Sequence, residues 1–198
     1  PSDILDAWRL AGLNAAKAKK GWEDRLSKVD ADKRAEFERR IRGELPAGLD
    51  AAIVDYKRTL SADKPKVATR KASEMALEVI NALLPDTIGG SADLTGSNNT
   101  KTSQTKPITP TDFSGRYLHY GIREHGMAAA MNGMALHGGV IPYGGAFLVF
   151  TDHSPPAIRL SGLRRGRVIY VMSPVLIGLA AGGPRHQPVE HRHSWRVS

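Results

Sequence analysis

An alternation of helix and strand patterns that begins near Thr69 constrains the fold most. Apolar residues at helical spacing predict a helix from about Thr69 to Leu84. Short apolar stretches at 87–90, 116–121 and 167–172 predict strands, and helical segments separate them. Because parallel strands need crossover connections, the pattern predicts an α/β fold with a mostly parallel sheet and helices on both faces.

A second helix is predicted from about Glu124 to His137, in the segment EHGMAAAMNGMALH. Its small residues allow a neighbouring backbone to come close, and its methionines fill irregular space. We expect this helix to be buried all round, either within the core or at a subunit interface. A further helix is predicted from Ala157 to Leu163, and the segment RVIYVM is predicted to be a buried strand.

The first 60 or so residues predict a polar helical arm. Trp and Leu residues occur there at loosely helical spacing among many charges. The segment ADKRAEFERRIRGEL suits a solvated helix, because Glu and Arg face one another at spacings of three and four residues. We expect an exposed linker or strap.

Charge distribution and composition limit the classes of binding partner and the cellular compartment that we expect. The net charge is +8, and residues 153–198 hold 7 basic residues against 1 acidic residue. No Lys/Arg run there is interleaved with aromatic residues, so we expect no nucleic-acid partner. The chain has no Cys and no apolar run near the roughly 20 residues of a bilayer helix. We therefore expect a cytoplasmic protein with no membrane partner.

Several ordered motifs resemble one known family. The motifs are ATRKASE, SADLTGSN, the long stretch RYLHYGIREHGMAAAMNGMALHGGVIPYGGAFLVF and, after it, GPRHQPVEH. In this order they resemble the pyrimidine-binding domain of bacterial transketolases. The resemblance is close from about Ala68 to Phe150 and patchy from there to His191. It implies a thiamine-diphosphate-binding fold at 68–191, a linker-like helical arm at 1–67 and a divergent tail at 192–198.

Glu124 carries the chemistry that this resemblance implies. It stands in IREHG, where a strand end meets a helix start. A carboxylate there can hydrogen-bond a ring nitrogen of the aminopyrimidine of thiamine diphosphate and favour its imino tautomer. Without the flanking motif, Glu124 would be interpreted as a first-turn charge paired with Arg123.

An aromatic wall for the pyrimidine ring is implied at Phe147 and Phe150 in GGAFLVF. Stacking on these rings would position the cofactor and exclude water. His153 stands where the family usually has a tyrosine, so it belongs to the same cofactor-binding set and indicates an altered pocket. In an unrecognised FLVF segment, both Phe residues would be interpreted as core residues of a buried strand.

Four polar residues complete the implied site. Asp93 in SADLTGSN is expected near the cofactor, and Ser97 and Arg70 are expected to bind the sugar-phosphate substrate. Arg suits phosphate because its planar fork donates two hydrogen bonds. His186 in GPRHQP matches a family histidine that contacts substrate oxygens and moves protons. Taken alone, Asp93 is a turn former and Arg70 is one cation among 28.

The last part of the chain departs from the family pattern. Pro174 replaces a phosphate-contacting histidine, Gly182 replaces a substrate-binding aspartate, and HRHSWRVS does not continue the motif. One hypothesis is a frameshifted or degenerate coding sequence, which would also explain the local excess of arginine. Resequencing the locus tests it, and an unambiguous reading of the same codons would contradict it.

The resemblance also implies what the chain does not supply. The family holds the diphosphate through Mg²⁺ on a separate N-terminal domain with a Gly-Asp-Gly motif, and this sequence contains no Gly-Asp pair. We therefore expect no metal ligands here and half of an active site that lies between two subunits. The implied partners are a second copy or a full-length transketolase subunit, together with sugar phosphates.

Three functions stay open from the sequence. The first is a transketolase fragment for transfer of a two-carbon ketol unit from a ketose phosphate to an aldose phosphate, inactive as an isolated chain. The second is a catalytically inactive dimerisation module, and the third is a related thiamine-diphosphate enzyme such as a deoxyxylulose-phosphate synthase. The DLTGSN and GPRHQP motifs favour transketolase over the deoxyxylulose-phosphate synthases and the ketoacid dehydrogenase components.

Overall fold

A computed structural model describes residues 1–173 and 188–197. The chain forms two compact units, Pro1–Arg39 and Arg40–Ser198. The first contains helix α1 (Ser2–Ser27) and most of helix α2 (Ala31–Arg42). Neither helix has a buried residue, as expected for a polar helical arm. No helix of the described residues is long and apolar enough to cross a membrane.

The second unit holds the sheet and its helices. Its helices are α3 (Leu49–Asp63), α4 (Thr69–Leu83), α5 (Thr95–Asn98), α6 (Glu124–His137), α7 (Pro155–Leu163) and α8 (Val189–Val197), with a 3₁₀ helix at Leu148–His153. Its strands are β1 (Thr87–Ser91), β2 (Tyr117–His119), β3 (Ile141–Ala146) and β4 (Ile169–Met172). The predicted bounds of α4 and α6 hold to within one residue. The domain boundaries after residues 67 and 191 stay predictions.

All strand pairs of the described sheet are parallel, and the strand order is β2-β1-β3-β4. In this register, Ser91 of β1 pairs with Gly145 of β3, and Gly145 pairs with Val171 of β4. The carboxyl ends of the strands therefore lie at one edge. The predicted α/β fold with a parallel sheet is confirmed.

Strand β3 has helices on both of its faces. A Cβ at Gly144 would lie 2.7 Å from the Met131 sulfur and 2.8 Å from the Met127 sulfur, so α6 packs directly on the strand backbone. The neighbouring residue Tyr143 points to the opposite face. There its hydroxyl accepts a hydrogen bond of 2.9 Å from Asn81 Nδ2 in α4.

A buried polar network surrounds the Tyr143 hydroxyl. It donates to the Thr100 carbonyl at 2.9 Å, and Thr100 Oγ1 lies 2.8 Å from the Tyr117 hydroxyl. These groups are almost completely buried, so each bond replaces one to water. Burial raises the pKa of Tyr143 to about 12.

One burial prediction was wrong. The strand at 169–172 is not buried, since Ile169 is 46 % exposed. It pairs only with β3 in the described sheet, so it is an edge strand. Helix α6 buries Met127, Ala128 and Met131 and exposes Ala129, Ala130 and Gly133 in this single chain, so its burial at a subunit interface stays a prediction. Its pattern of small residues and methionines does not distinguish the face on the sheet from the open face.

Tyr143 predicts a loss of stability at alkaline pH. Its folded pKa of about 12 exceeds the unfolded value of 10, so the folded state binds more protons between these values. The free energy of unfolding contributed by Tyr143 is complete below pH 10 and falls as the pH rises toward 12. Urea unfolding measures the free energy of unfolding at pH 9 and at pH 11. The decrease between these pH values should be smaller in Tyr143→Phe than in the unsubstituted chain by roughly 1 kcal/mol. An equal fall in both proteins would contradict this.

Gly145→Ala should destabilise the chain by about 1–3 kcal/mol, because the new methyl would lie 2.5 Å from Thr100 Cγ2. Thr100 is β-branched and fully buried, so it has little freedom to move. Gly162→Ala is the matched control, since nothing lies within 4 Å of its added Cβ. Urea unfolding measures both, and equal stabilities of the two variants would refute the packing argument.

Candidate functional site

Polar and aromatic side chains gather at the carboxyl edge of the parallel sheet. Asp93 and Ser97 follow the end of β1, Glu124 follows the end of β2, and the 3₁₀ helix follows the end of β3. In open parallel sheets, ligands bind at this edge because the connecting loops converge there. The fold therefore places these sequence-predicted residues in one region.

Glu124 is a buried carboxylate at the first residue of α6. Only 5 % of the residue is exposed. The free backbone N–H groups and the positive end of the helix dipole favour a negative charge at this position. Its Oε2 lies 3.3 Å from His153 Nδ1. Arg123, the alternative partner in the sequence, instead donates from its guanidinium to the Tyr120 carbonyl at 3.0 Å.

Three parallel rings stand beside Glu124. The rings of Phe147 and Phe150 are 5.7 Å apart with an interplanar angle of 12°, and those of Phe150 and His153 are 5.9 Å apart at 9°. The cause is local, because residues three apart eclipse in a 3₁₀ helix. The structure thus links the Glu124 carboxylate through His153 to the stacked rings of Phe150 and Phe147, which form a flat aromatic wall.

The loop after β1 holds Asp93 and Ser97. Asp93 is exposed and has a φ of 60°, a left-handed conformation that Asp tolerates better than most residues. Ser91 anchors the loop, since its hydroxyl donates to the Gly145 carbonyl and accepts from the Leu94 N–H. Ser97 is half-buried. Asp93 and Ser97 lie at the same edge of the sheet as Glu124 because they follow the carboxyl end of a neighbouring parallel strand.

The two remaining predicted residues are Arg70 and His186. Arg70 is exposed at the second residue of α4. The start of α4 lies near the loop after β1, because Asn99 Nδ2 donates to Glu74 Oε2 at 3.2 Å. His186 lies outside the described residues, as do the departures at Pro174 and Gly182.

Asn98 was missed by the sequence interpretation. It is fully buried, and its Nδ2 donates to the Ala146 carbonyl at 2.9 Å and to the Ser173 carbonyl. One side chain therefore ties the loop after β1 to the ends of β3 and β4. The available signal was its place in SADLTGSN, but an Asn in a turn-rich segment is usually interpreted as a turn residue.

No group of three or more potential metal-ligating side chains occurs among residues 1–173 and 188–197. Aromatic faces and one buried carboxylate suit a flat, nitrogen-containing heterocycle. A family model described as the transketolase pyrimidine-binding domain matches residues 65–198. The chain belongs to the transketolase pyrimidine-binding domain family.

Curated relatives of this transketolase-family chain are much longer than it is. It is 54 % identical over 197 residues to a transketolase of Cereibacter sphaeroides, and the match covers 100 % of the chain and 30 % of that protein. The chain is also 54 % identical to a transketolase of Sinorhizobium medicae, and this match covers 96 % of the chain and 27 % of that protein. The chain spans less than a third of the length of these relatives.

Solved transketolases share the fold. The enzyme from Pichia stipitis in complex with sedoheptulose-7-phosphate has a TM-score of 0.87 and 36 % identity, covering 99 % of this chain and 30 % of that chain. The transketolase from Leishmania mexicana matches with a TM-score of 0.81 and 38 % identity. This match covers 93 % of the present chain and 27 % of the Leishmania chain. The predicted resemblance to transketolase is confirmed.

Asp93 allows a test of whether its backbone or its carboxylate matters. Asp93→Val should lower the free energy of unfolding by about 1–2 kcal/mol, because a β-branched residue is strained at a φ of 60°. Asp93→Gly should keep stability, since Gly adopts this conformation freely. Thermal unfolding of both variants measures this. A stable Asp93→Val protein would show that the loop does not depend on this conformation.

Proposed function

We propose that this chain supplies the pyrimidine side of a thiamine-diphosphate-dependent transketolase site. The reaction is transfer of a two-carbon ketol unit from a ketose phosphate to an aldose phosphate. The observation that carries the proposal is the buried Glu124 carboxylate in contact with His153, whose ring stacks on Phe150. Membership of the pyrimidine-binding domain family supports it.

The residues present fit the aminopyrimidine of the cofactor. A buried carboxylate needs a donor, and the heterocycle offers a ring nitrogen that can carry a proton. Glu124 would hold that proton at a carboxylate oxygen and so favour the imino tautomer. When bound, thiamine diphosphate supplies the electron sink for cleavage and formation of the carbon–carbon bond.

The aromatic wall would orient the cofactor and exclude water. Phe147 is 8 % exposed and Phe150 is half-buried, so Phe147 would anchor the wall and the exposed part of Phe150 would contact the cofactor. Offset stacking of a heterocycle on such a face adds about 0.5–1.5 kcal/mol beyond the burial of area. A water-poor wall also keeps the Glu124 proton shared with the cofactor instead of lost to solvent.

Sugar phosphates would bind farther out at the same edge. Exposed Arg70 offers a planar fork for phosphate, and half-buried Ser97 offers a hydroxyl. We assign His186, outside the described residues, to the substrate oxygens. The Pichia stipitis relative was solved with sedoheptulose-7-phosphate, which supports this substrate class for the site.

The diphosphate and its Mg²⁺ would be held by another domain. Among the described residues no metal-ligating group occurs, and the relatives are more than three times as long as the match. A second copy or a full-length subunit would complete the site. The open face of α6 supports this association, because its exposed Ala129, Ala130 and Gly133 allow close approach of a neighbouring backbone.

Calorimetry with thiamine diphosphate and Mg²⁺ tests the proposal. The chain alone is compared with the chain mixed with a transketolase metal-binding domain, and we expect binding and ketol transfer only in the mixture. Glu124→Gln keeps the shape of the side chain but not its charge, and should lower ketol transfer at least 100-fold, as loss of a proton-transferring group does. Glu23→Gln, on the exposed helix α1, is the matched control and should change neither quantity.

Light scattering on the same samples separates the alternatives. Self-association without cofactor binding in the mixture would favour an inactive dimerisation module. Ketol transfer by the purified chain alone would contradict the half-site proposal, and full transfer by Glu124→Gln would remove Glu124 from the chemistry.

A further inference from the structure

His153 closes the ring stack and faces Glu124. It is the last residue of the 3₁₀ helix, so the three-residue turn places its imidazole over Phe150, at 5.9 Å and 9°. Stacking fixes the plane of the imidazole, and its Nδ1 edge then lies 3.3 Å from Glu124 Oε2. The side chain of His153 is 59 % exposed, whereas that of Glu124 is 6 % exposed. A solvent-facing ring therefore reaches a buried carboxylate.

The neighbouring charges leave His153 directed at Glu124. Asp152 precedes it on the same 3₁₀ helix, but the Asp152 carboxylate lies 2.9 Å from His191 Nε2 of α8. Arg123 beside Glu124 donates to the Tyr120 carbonyl. The next titratable residue of α6, His125, is exposed. Among the described ion pairs, the partner of the Glu124 carboxylate is His153.

This contact determines which ring nitrogen carries the proton. An ionised carboxylate only accepts hydrogen bonds, so Nδ1 must be the donor. In a neutral imidazole, that bond selects the tautomer with the proton on Nδ1 and leaves Nε2 without one. A carboxylate has about four lone-pair sites, so a bond at Oε2 does not prevent Glu124 from binding a second donor.

We propose that His153 is a positioning residue for Glu124. Its Nδ1–H holds Oε2 at the edge of the ring stack and so turns the other carboxylate oxygen toward a ring nitrogen packed on that stack. The hydrogen bond itself is a property of this chain, whereas its consequence for a heterocycle depends on the proposed function. Stacking on Phe150, which itself stacks on Phe147, fixes the position of the His153 ring, and His153 in turn fixes the orientation of the Glu124 carboxylate.

Nuclear magnetic resonance of the full 198-residue chain tests the contact without any cofactor. Long-range proton–nitrogen spectra at pH 8 should show a protonated Nδ1 in His153. Glu124→Ala should abolish that preference and shift the ring toward the Nε2–H tautomer. His137, at the far end of α6, should keep its signals and so report an intact fold. An unprotonated Nδ1 in the unsubstituted chain, or the same tautomer in both proteins, would overturn the proposal.

Two substitutions of His153 separate the ring from the donor. His153→Phe keeps a stacking ring without an N–H, and His153→Asn keeps an N–H donor near the place of Nδ1 without the ring. In the mixture with a metal-binding domain, His153→Phe should weaken binding of thiamine diphosphate about 10-fold, with His153→Asn restoring part of the loss. In the Glu124→Ala background, His153→Phe should have no further effect, because the two residues act as one unit.

Loss of affinity that persists in the Glu124→Ala background would overturn the proposal, since His153 would then act independently of Glu124. Failure of every sample to bind thiamine diphosphate would count against the proposed function instead. In that case the His153 tautomer measured without cofactor would still show whether His153 Nδ1–H is bonded to the Glu124 carboxylate. If Glu124→Ala does not fold, the spectra of Glu124→Leu, which also offers no acceptor, replace it, and an unchanged Nδ1 proton signal there would count against the contact.

Discussion

The close approach of helix α6 to strand β3 positions the rest of the site. Gly144 and Gly145 place no side chains at the middle of the strand, so the Met127 and Met131 sulfurs lie on one face and Thr100 on the other. Helix α6 begins with Glu124, and β3 leads directly into the ring-bearing 3₁₀ helix. A bulky residue in the strand would therefore separate the carboxylate from the aromatic wall. Packing density here sets the geometry of a polar site.

Asn98 adds a second constraint from the opposite face of the sheet. Its amide bonds the Ala146 carbonyl and Ser173, so the ends of β3 and β4 are held by one buried side chain. The Ser91 hydroxyl bonds the Gly145 carbonyl in the same way. The loop after β1 is thus attached to the central strand at two points. Asn98 and Ser91 therefore determine where Asp93 and Ser97 lie.

Local sequence signals predicted some of the helices and strands, whereas contacts between distant residues could not be predicted from them. Apolar spacing predicted helix α4, and the motif register proposed Glu124 and Phe147 as site residues. The segment FLVF did not show that it forms a 3₁₀ helix, because residues three apart suit either core packing or an eclipsed stack. The exposure of Ile169 depends on the strand order, which is set by pairing between distant residues. The contact between His153 and Glu124 likewise joins elements 29 residues apart.

Helix α6 connects two surfaces that are otherwise separate. Glu124 begins the helix, while Ala129, Ala130 and Gly133 lie on its open face. The helix has 14 residues, about 21 Å at 1.5 Å per residue, and behaves as one rod. Whatever covers the open face therefore fixes the axial position of the carboxylate as well. If the proposed site binds its cofactor and a partner covers that face, the two occupancies would be linked by mass action, so that protein concentration would itself act as an effector of the site.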